Sequence, residues 1–391
     1  MRNVLISGAG VAGLALAHWL RRAGFAPTVV ERAPSVRPGG HAVDVRGVAL
    51  DVLDRMGLLA DARRARTRMR GMSMHDSDGN ELWRSTEMTY SSGRLDSDDI
   101  EILREDLTEL LHRRVRADAD DADDADDAGG AAFLFGDSIA ALDQSDPEEG
   151  GVHVTFASGL SRTFSLVVGA DGLRSGVRRL AFGSESGQHL HHLGAHVAVF
   201  STDNFPGLDN WQVWVRNEQA SYCLYPVRGN TELRATLGFM SPPLDYDHRD
   251  TAQQKALLAE NMASLGGDTG TLLEAMRTAP DFYFAAMAQV RMDHWTRGRV
   301  ALVGDAGYCP SPLSGQGTSL ALVGAYVLAR ELSASPASVA DALLRYEERM
   351  RPFVALNQAL ATENPGQGPS EESLTVAKNA LTLGGGDGWV V

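Results

Sequence analysis

The sequence predicts an α/β fold: a parallel sheet flanked by helices, an inserted and mostly antiparallel sheet, and helices at the C-terminal end. A glycine-rich turn joins a short apolar strand to an apolar helix at the start of the chain. Two later apolar strands also end in small residues and an aspartate. From about residue 185, short segments rich in aromatic and β-branched residues are typical of antiparallel strands.

The opening segment predicts a Rossmann-type nucleotide site. Residues 4–7 form a short apolar strand, and residues 14–23 contain good helix formers without a breaker. Three glycines between them have the spacing of a dinucleotide fingerprint. The first permits a tight turn, the second lets backbone approach a pyrophosphate, and the third lets helix and strand pack closely. The binding candidates in this turn are Gly8, Gly10, Ala12 and Gly13.

The second predicted strand, residues 28–31, ends in Glu31 and is followed by Arg32. A carboxylate at this position accepts hydrogen bonds from the ribose hydroxyls of an adenosine and disfavours a 2′-phosphate. The sequence therefore predicts that FAD or NAD binds here, with Glu31 and Arg32 among its contacts.

The composition limits the class of protein. A chain of 391 residues suggests two or three domains, and 43% hydrophobic residues are enough for large cores. Cys223 and Cys309 lie too far apart for a disulfide framework and suit a reducing compartment. There is no signal-peptide pattern, and no uncharged apolar run approaches the roughly 20 residues that span a bilayer. We expect a cytoplasmic protein without a membrane span.

Much of the net charge of −15 comes from one segment. Residues 118–127 (DADDADDADD) hold seven aspartates, which leaves −8 for the rest of the chain. This segment lacks the glycine turn and terminal glutamate of a calcium loop, so we interpret it as a solvated loop insertion. The histidines at 189, 191 and 192 have no acidic or cysteine partner at ligand spacing, so no metal is predicted. Without a basic face, nucleic acid is not an expected partner.

Residues 41–46 alternate like a strand directly after Gly39-Gly40, and residues 48–59 have a helical pattern. Asp44 and Arg46 point to the same face of that strand because successive side chains alternate. Two interpretations remain open for them. They pair with each other on a surface, or Arg46 lies beside a bound ring system.

The middle of the chain predicts further helices and strands. We expect a hairpin at 72–83 with Asp78-Gly79 as its turn, a helix at 100–115, strands at 152–156, 163–168, 197–200, 211–215, 221–225 and 233–239, and helical structure at 250–277. The aromatic residues of the later strands form either an ordinary core or the wall of a pocket. They are Trp211, Trp214, Tyr222, Tyr225 and Phe239.

The last third of the chain predicts one more buried strand, residues 300–303, which ends in Gly304-Asp305. Helices are expected at 318–332, 339–360 and 374–383. A carboxylate directly after a buried strand is costly unless it is hydrogen-bonded. A ligand hydroxyl would supply that bond to Asp305.

Three separated motifs now stand in order: GAGVAG with Glu31, ADGLRS at 170–175, and LVGDAGYCPSPLSGQG at 302–317. In this order and spacing the chain resembles the single-component FAD-dependent aromatic hydroxylases, related to p-hydroxybenzoate hydroxylase and the tetracycline-modifying flavin monooxygenases. The resemblance covers nearly the whole chain. It implies an FAD-binding domain at 1–71, 101–184 and 291–335, a substrate domain at 72–100 and 185–290, and C-terminal helices and a tail at 336–391.

The resemblance also implies roles for individual residues. FAD would be held non-covalently, the glycines near 315 would let backbone run against its flat ring, and the helix from Thr318 would point its positive end at the ring. Arg104 matches the family's Arg-x-x-Leu position, where an arginine contacts the cofactor; the alternative is a salt bridge on a helix surface. The implied cofactor contacts are Arg104, Asp171, Gly304, Asp305, Pro312, Gly315, Gln316, Gly317 and Thr318.

By the same resemblance, NADPH or NADH reduces FAD, O2 adds to the flavin as a C4a-hydroperoxide, and the distal oxygen passes to an electron-rich ring. Arg46 is the candidate catalytic residue, as a cation that stabilises charge on the flavin. The substrate would be a planar aromatic or polycyclic molecule lying between the aromatic sheet and the ring, as in natural-product tailoring or antibiotic modification. The alternatives are a flavin reductase or isomerase without oxygenation, and a non-catalytic FAD-containing binder.

Overall fold

The computed structural model describes residues 2–37, 39–91, 93–120, 132–145, 150–183, 186–335, 337–364 and 368–384. Its strands are β1 Asn3–Ser7, β2 Ala26–Glu31, β3 Ala42–Val45, β4 Met72–His75, β5 Glu81–Ser85, β6 Met88–Thr89, β7 Gly93–Arg94, β8 Ile100–Leu103, β9 Ala132–Phe135, β10 Ile139–Asp143, β11 Val152–Phe156, β12 Ser161–Phe164, β13 Leu166–Gly169, β14 Leu190–Asp203, β15 Gln212–Arg216, β16 Ala220–Val227, β17 Glu232–Met240, β18 Tyr283–Val290, β19 Thr296–Arg297 and β20 Val300–Leu302. Its α-helices are α1 Val11–Arg22, α2 Val48–Arg55, α3 Leu59–Ala65, α4 Arg104–Asp120, α5 Gly176–Phe182, α6 Thr251–Met262, α7 Thr269–Thr278, α8 Asp305–Tyr308, α9 Gly317–Ala334, α10 Val339–Ala359 and α11 Glu371–Lys378.

A six-stranded sheet with the order β19-β20-β13-β1-β2-β9 forms the centre of the first layer. All neighbouring strands in it are parallel except β19 and β20. Helices α1 and α9 pack against each other, and their apolar residues join those of the sheet in one core. Because β1, β2, β13 and β20 run in the same direction, their carboxyl ends lie along one edge.

A seven-stranded sheet with the order β18-β14-β17-β16-β15-β4-β5 forms the second layer. Its strands are antiparallel except where β15 pairs with β4, which confirms the predicted mostly antiparallel sheet. Apolar residues of α6 and α7 cover one of its faces. The opposite face lies toward a two-stranded sheet of β3 and β8, since Tyr225 of β16 hydrogen-bonds the backbone of Ala42 in β3.

The residues predicted as a helix at 100–115 instead begin with strand β8, and the helix starts at Arg104. Ile100 and Ile102 are buried where β8 pairs with β3, so a non-local strand partner outweighs the local helical pattern. The predicted helix at 48–59 is also wrong in its extent. Gly57, with a φ of +72°, separates α2 from α3, and glycine adopts this conformation without steric cost.

The single strand predicted at 163–168 is two strands in different sheets. β12 pairs with β11 in a three-stranded antiparallel sheet, whereas β13 lies next to β1 in the central sheet. Strands β9 and β18 were not predicted, and β14 is much longer than the predicted 197–200. α11 begins and ends earlier than the predicted 374–383. The differences among the strands depend on pairing partners far away in the chain.

Helix α4 extends to Asp120, so the acidic segment begins as helix rather than as the predicted loop, and residues 121–127 lie outside the described residues. Among the described helices, none combines the length and apolar character needed to cross a membrane. In the same part of the chain, no three His, Cys, Asp or Glu side chains are grouped so that they could hold a metal ion. The domain boundaries stay a prediction.

Candidate functional site

The three sequence motifs meet at the carboxyl edge of the central sheet. Gly8 follows β1, Ala170 follows β13 and Gly304 follows β20. The Ala170 N–H donates to the Ser7 carbonyl at 2.8 Å, and the Val303 N–H donates to the Gly169 carbonyl at 2.9 Å. In parallel α/β sheets, ligands bind in the crevice outside these strand ends. The fold therefore brings distant motifs to a position suited to a ligand.

The glycines of the first turn meet different surroundings. A Cβ on Gly8, whose φ is +108°, would lie 2.6 Å from the Ala170 carbonyl oxygen, and a Cβ on Gly13 would lie 2.0 Å from the Gly8 carbonyl oxygen. A Cβ on Gly10 would meet nothing within 4 Å. Packing within the protein thus requires the first and third glycines, whereas open space lies beside the second. Helix α1 begins there without a side-chain cap, so its first N–H groups can receive an anion.

Glu31 ties the glycine turn to the end of β2. Its carboxylate accepts the Ala9 N–H and the Ala33 N–H, each at 2.9 Å. The side chain is 12% exposed, and a carboxylate has acceptor capacity beyond two bonds, so a further donor such as a ribose hydroxyl can be accommodated. Arg32 is exposed. The sequence did not predict that Glu31 accepts hydrogen bonds from the backbone at Ala9 and Ala33.

Asp171 stabilises the second motif from inside. It accepts hydrogen bonds from the Ser175 hydroxyl at 2.5 Å and the Val177 N–H at 3.1 Å, and burial raises the pKa of its carboxyl. Ser175 in turn caps α5 by accepting the Arg178 N–H. The buried Arg178 guanidinium donates to the Ala306 carbonyl at 2.8 Å, which links this motif to the third one. The described contacts of Asp171 are thus internal to the protein.

The third motif places small residues against the first. A Cβ on Gly304, whose φ is +63°, would lie 3.1 Å from the Ala12 Cβ. Asp305 begins α8, and burial raises the pKa of its carboxyl. A Cβ on Gly317 would lie 3.8 Å from the Asp305 carboxylate, so these two positions face each other. The first and third motifs, which the sequence assigns to one ligand, are therefore neighbours in the fold.

The side chain of Gln316 fits a ligand that carries both hydrogen-bond donors and acceptors. Its side chain is fully buried, and neither its amide nitrogen nor its amide oxygen has a hydrogen-bond partner among the described residues. A buried amide without partners is costly, which a ligand with donor and acceptor groups would relieve. Gln316 directly precedes α9, which has neither a side-chain cap nor an acidic residue in its first turn. A ring carrying N–H and carbonyl groups fits this surrounding.

The remaining predicted positions surround that helix start. Gly315 is left-handed, with φ +64° and ψ 16°. Pro312 begins the short 3₁₀ turn Pro312–Ser314 and is exposed, whereas Thr318 lies partly exposed in the first turn of α9. The loop is therefore accessible from outside on one side and closely packed on the other.

Asp44 and Arg46 form an ion pair of 2.9 Å, but the pair is not on the surface. The side chains are only 11% and 6% exposed, and a Cβ on Gly315 would lie 3.4 Å from the Arg46 guanidinium. The Arg46 N–H donates to the Ser319 hydroxyl at 3.0 Å. Burial raises the pKa of Asp44 to about 7 against the opposing effect of Arg46. The surface-pair interpretation is wrong in its location, since the pair lies against the loop proposed to hold the ring.

The Arg104 guanidinium hydrogen-bonds backbone rather than a carboxylate. Its guanidinium donates to the Gly39 carbonyl at 2.5 Å, and a Cβ on Gly40 would lie 2.5 Å from its Nε. Burial lowers the pKa of Arg104. The next residue, Glu105, carries the ion pairs instead, with Arg228 at 2.6 Å and Arg234 at 2.8 Å. The salt bridges predicted as the alternative for Arg104 are therefore formed by Glu105 instead.

The five aromatic residues predicted for the second sheet do not share one face. For Tyr222 and Phe239 the core alternative holds, because both are buried beneath α6 and α7. Trp211 donates to the Ser73 hydroxyl at 3.1 Å before β15 begins. Trp214 and Tyr225 instead belong to the apolar group on the opposite face, toward β3 and β8. Side chains alternate between the faces of a strand, which separates residues close in sequence.

A chain of hydrogen bonds connects Arg46 to this second face. The Arg46 guanidinium donates to the Ser91 carbonyl at 2.9 Å, and the Ser91 hydroxyl accepts the Gln212 amide N–H at 2.8 Å. The Gln212 amide oxygen accepts the Trp214 indole N–H at 2.8 Å. Sequence reasoning missed Ser91 and Gln212, although the spacing of Gln212 and Trp214 on one strand face was a usable signal.

Two more aromatic rings extend the face around Trp214. Tyr90 meets Trp214 edge-on at 5.7 Å and stacks with Trp83 at 5.9 Å. Trp83 and Tyr90 are 40% and 43% exposed, so aromatic surface remains accessible here. Tyr283 of β18 lies on the same face at the other side of the sheet and is 46% exposed. These rings were not predicted because their proximity depends on strand pairing.

Comparison with known proteins agrees with the geometry. A family model described as FAD binding domain matches residues 1–360. An uncharacterized protein, Rv1260, of Mycobacterium tuberculosis (strain ATCC 25618 / H37Rv) is 50% identical over 370 residues, covering 94% of this chain and 95% of that protein. A flavin-dependent monooxygenase of Legionella longbeachae serogroup 1 (strain NSW150) is 39% identical over 356 residues, covering 91% and 87%.

A solved structure shows the same arrangement of the whole chain. The crystal structure of tetracycline destructase Tet(55) superposes with a TM-score of 0.84 at 36% identity, covering 98% of this chain and 99% of that chain. Family, fold and site geometry therefore agree. The chain belongs to the FAD binding domain family of flavin-dependent monooxygenases.

Proposed function

We propose that the protein uses FAD and NAD(P)H to insert one oxygen atom of O2 into an aromatic or polycyclic small molecule. The observation that carries this proposal is the hydrogen-bond chain from Arg46 through Ser91 and Gln212 to Trp214. It joins the loop that would hold the flavin ring to the aromatic face of the second sheet. A substrate between the two would have its ring beside the cofactor.

The residues of the site fit FAD. The start of α1 beside Gly10 would receive the pyrophosphate, and Glu31 would receive the ribose. The unpaired amide of Gln316 and the start of α9 would receive the polar edge of the ring. When bound, FAD supplies the redox chemistry that activates O2, and the protein supplies binding, orientation and electrostatics.

Arg46 is proposed to stabilise negative charge on the reduced cofactor. Its guanidinium is buried beside Gly315, and a charge acts more strongly where water is excluded. Asp44 holds the guanidinium at 2.9 Å, while the Ser91 carbonyl takes a second N–H. The backbone bond to Ser319 fixes the end of β3 against α9. The cation is therefore oriented before any ligand arrives.

The substrate class is proposed from the aromatic face and from the similar proteins. Trp83, Tyr90 and Trp214 offer stacked and edge-on rings, which favour binding of planar aromatic molecules. Tetracycline destructases share 34% and 36% identity with this chain across nearly its full length. We therefore propose a planar, oxygenated polycyclic substrate, with tetracyclines as the first compounds to test. A cytoplasmic location accords with the expected use of NAD(P)H.

The test measures oxidation of NADH and of NADPH by the FAD-loaded protein with tetracyclines, polycyclic phenols and simple phenols. The expected result is oxidation stimulated by one class, consumption of O2, and a product heavier by one oxygen atom. Stimulated oxidation with a product that gains no oxygen would instead support a reductase or isomerase. Bound FAD without NAD(P)H oxidation under any compound would support a non-catalytic binder.

The Arg46 role is tested with Arg46→Ala and with Arg46→Lys, which keeps the charge. We expect Arg46→Ala to retain FAD but to slow flavin reduction in stopped-flow measurements or to raise release of hydrogen peroxide. Arg46→Lys should recover part of the reduction rate because the positive charge remains. Rates and peroxide yields equal to wild type in both variants would end the proposed role.

A further inference from the structure

Two buried carboxyl groups face each other beside Arg46. In the pairing of β3 with β8, Asp44 lies directly opposite Glu101. Residues opposite each other on antiparallel strands project to the same face, with Cβ atoms about 4.5–5.5 Å apart. Asp44 already pairs with Arg46 at 2.9 Å, and the side chain of Asp44 is only 11% exposed. Glu101 is 5% exposed.

The contacts of Glu101 leave part of its carboxyl unused. One oxygen accepts the Thr67 hydroxyl at 2.5 Å, whereas the other, Oε2, is buried without a hydrogen-bond partner among the described residues. A buried carboxylate normally has both oxygens hydrogen-bonded, because leaving a charged acceptor unpaired is costly. A proton on this group would remove that charge. Burial raises the pKa of Glu101, and hydrogen bonds from the Ser91 and Thr67 hydroxyls together with the charge of Arg46 oppose that rise.

The charges around the pair do not balance two ionised carboxylates. Arg46 is the cation that contacts Asp44, and the nearby Lys378 of α11 is already paired with Asp99 at 2.7 Å. From β16, Cys223 and Tyr225 face Glu101, and burial raises the pKa of both, so both stay neutral and add no charge. Two carboxylates beside one guanidinium would bury one uncompensated negative charge, and such pairs retain a proton.

We propose that Asp44 and Glu101 share one proton in the native protein and act as positioning residues that set the charge Arg46 presents to the cofactor. With the proton, the Asp44–Arg46–Glu101 group is neutral; without it, the group carries −1. This inference rests on the proposed cofactor site, because Gly315 connects the group to the ring. A Cβ on Gly315 would lie 3.4 Å from Arg46 Nη2 and 3.6 Å from Asp44 Oδ2.

The consequence is a proton linked to the redox state of the flavin. Bound FAD that received two electrons from an external reductant and one proton from solvent would carry one net negative charge on its ring. The added negative charge strengthens proton binding by nearby carboxyls. Where the pair has begun to ionise, it therefore takes up a further proton from solvent. The protein then takes up more protons per two electrons than it would if the carboxyls beside the flavin could not bind or release a proton.

The experiment is a reductive titration of the FAD-loaded protein with dithionite and reference dyes between pH 5 and pH 9. The slope of the flavin midpoint potential against pH reports the protons taken up per two electrons. Glu101→Gln keeps the shape of the side chain but removes the carboxyl group that can bind or release a proton. Asp44→Asn does the same at the other position. Glu331→Gln is the matched control, a buried carboxylate that pairs with Arg345 and Arg349 away from the group.

We expect wild type and Glu331→Gln to show an interval in which proton uptake rises by up to about one per two electrons. That interval should disappear in Glu101→Gln. If Asp44→Asn does not fold, Glu101→Gln alone decides the question. An unchanged proton count in Glu101→Gln would overturn the proposal, even if catalysis is intact. Failure of the wild-type protein to bind FAD would instead refute the proposed cofactor site.

Discussion

The carboxyl edge of the central sheet and the aromatic face of the second sheet were both predicted to bind ligands, and they differ in how their residues are brought together. At the edge, Gly8, Asp171 and Gly304 each follow a parallel strand, so one topological rule makes them neighbours. On the second sheet, Tyr222 and Trp214 lie on opposite faces although their strands are adjacent. The position of a turn can be predicted from neighbouring residues, whereas the sheet face that a side chain occupies depends on the pairing register of its strand.

This contrast predicts separate effects for core and face residues. Phe239→Ala should lower the free energy of unfolding by about 3–5 kcal/mol, because it opens a cavity beneath α6 and α7. Urea unfolding measures this change. Trp214→Ala should cost less stability but raise the KM for a polycyclic substrate. A comparable loss of stability in both variants would show that Trp214 is also core.

At the cofactor edge, Glu31→Ala should weaken FAD binding by about 10- to 100-fold, which corresponds to about 1.5–3 kcal/mol for charge-assisted hydrogen bonds. The control ligand is FMN, which lacks the adenosine. If Glu31 contacts the ribose, FMN affinity should change much less than FAD affinity in flavin fluorescence titrations. Equal losses for the two ligands would assign the effect to the Ala9 and Ala33 backbone ties instead.

The glycine turn offers a matched pair. Gly13→Ala should destabilise the FAD-free protein by about 1–3 kcal/mol, because its Cβ would meet the Gly8 carbonyl at 2.0 Å. Gly10→Ala should cost less, because its Cβ would meet no protein atom within 4 Å and the remaining loss is that of a poorer N-cap residue for α1, about 0.5–1 kcal/mol. It should nevertheless weaken FAD binding. Unchanged FAD affinity in Gly10→Ala would place the pyrophosphate elsewhere.

The smallest expected effect is the pH dependence contributed by Asp44. Burial raises its pKa to about 7, above an unfolded value of about 3.9, so the folded state binds more protons between these limits. This contribution to stability is present below about pH 4 and is lost as the pH rises to about 7, by at most about 1.4 kcal/mol per pH unit. Urea unfolding of FAD-free protein at pH 6 and pH 7 measures it. Asp44→Asn should flatten the slope, and a retained slope would assign it to another group.

Sequence reasoning located the motifs well and the pocket poorly. The α/β class and the antiparallel second sheet follow from periodicity, and the family follows from the resemblance carried by three separated motifs. The predictions of a helix over strand β8 and of one strand at 163–168 are wrong, because a local pattern does not specify the partner of a strand. Arg46 was singled out, but the buried position of its pair with Asp44 was not foreseen.

By itself, the sequence determined where the chain turns after its strands, because glycines at 8, 10 and 13 permit backbone geometries and approaches that other residues do not. The three-dimensional packing places Glu101 opposite Asp44, connects Arg46 to Trp214 through Ser91 and Gln212, and leaves the Gln316 amide without a partner among the described residues. The physical reason is distance along the chain. Backbone conformation is set by neighbouring residues, whereas burial and partner choice arise from pairings between residues tens to hundreds of positions apart.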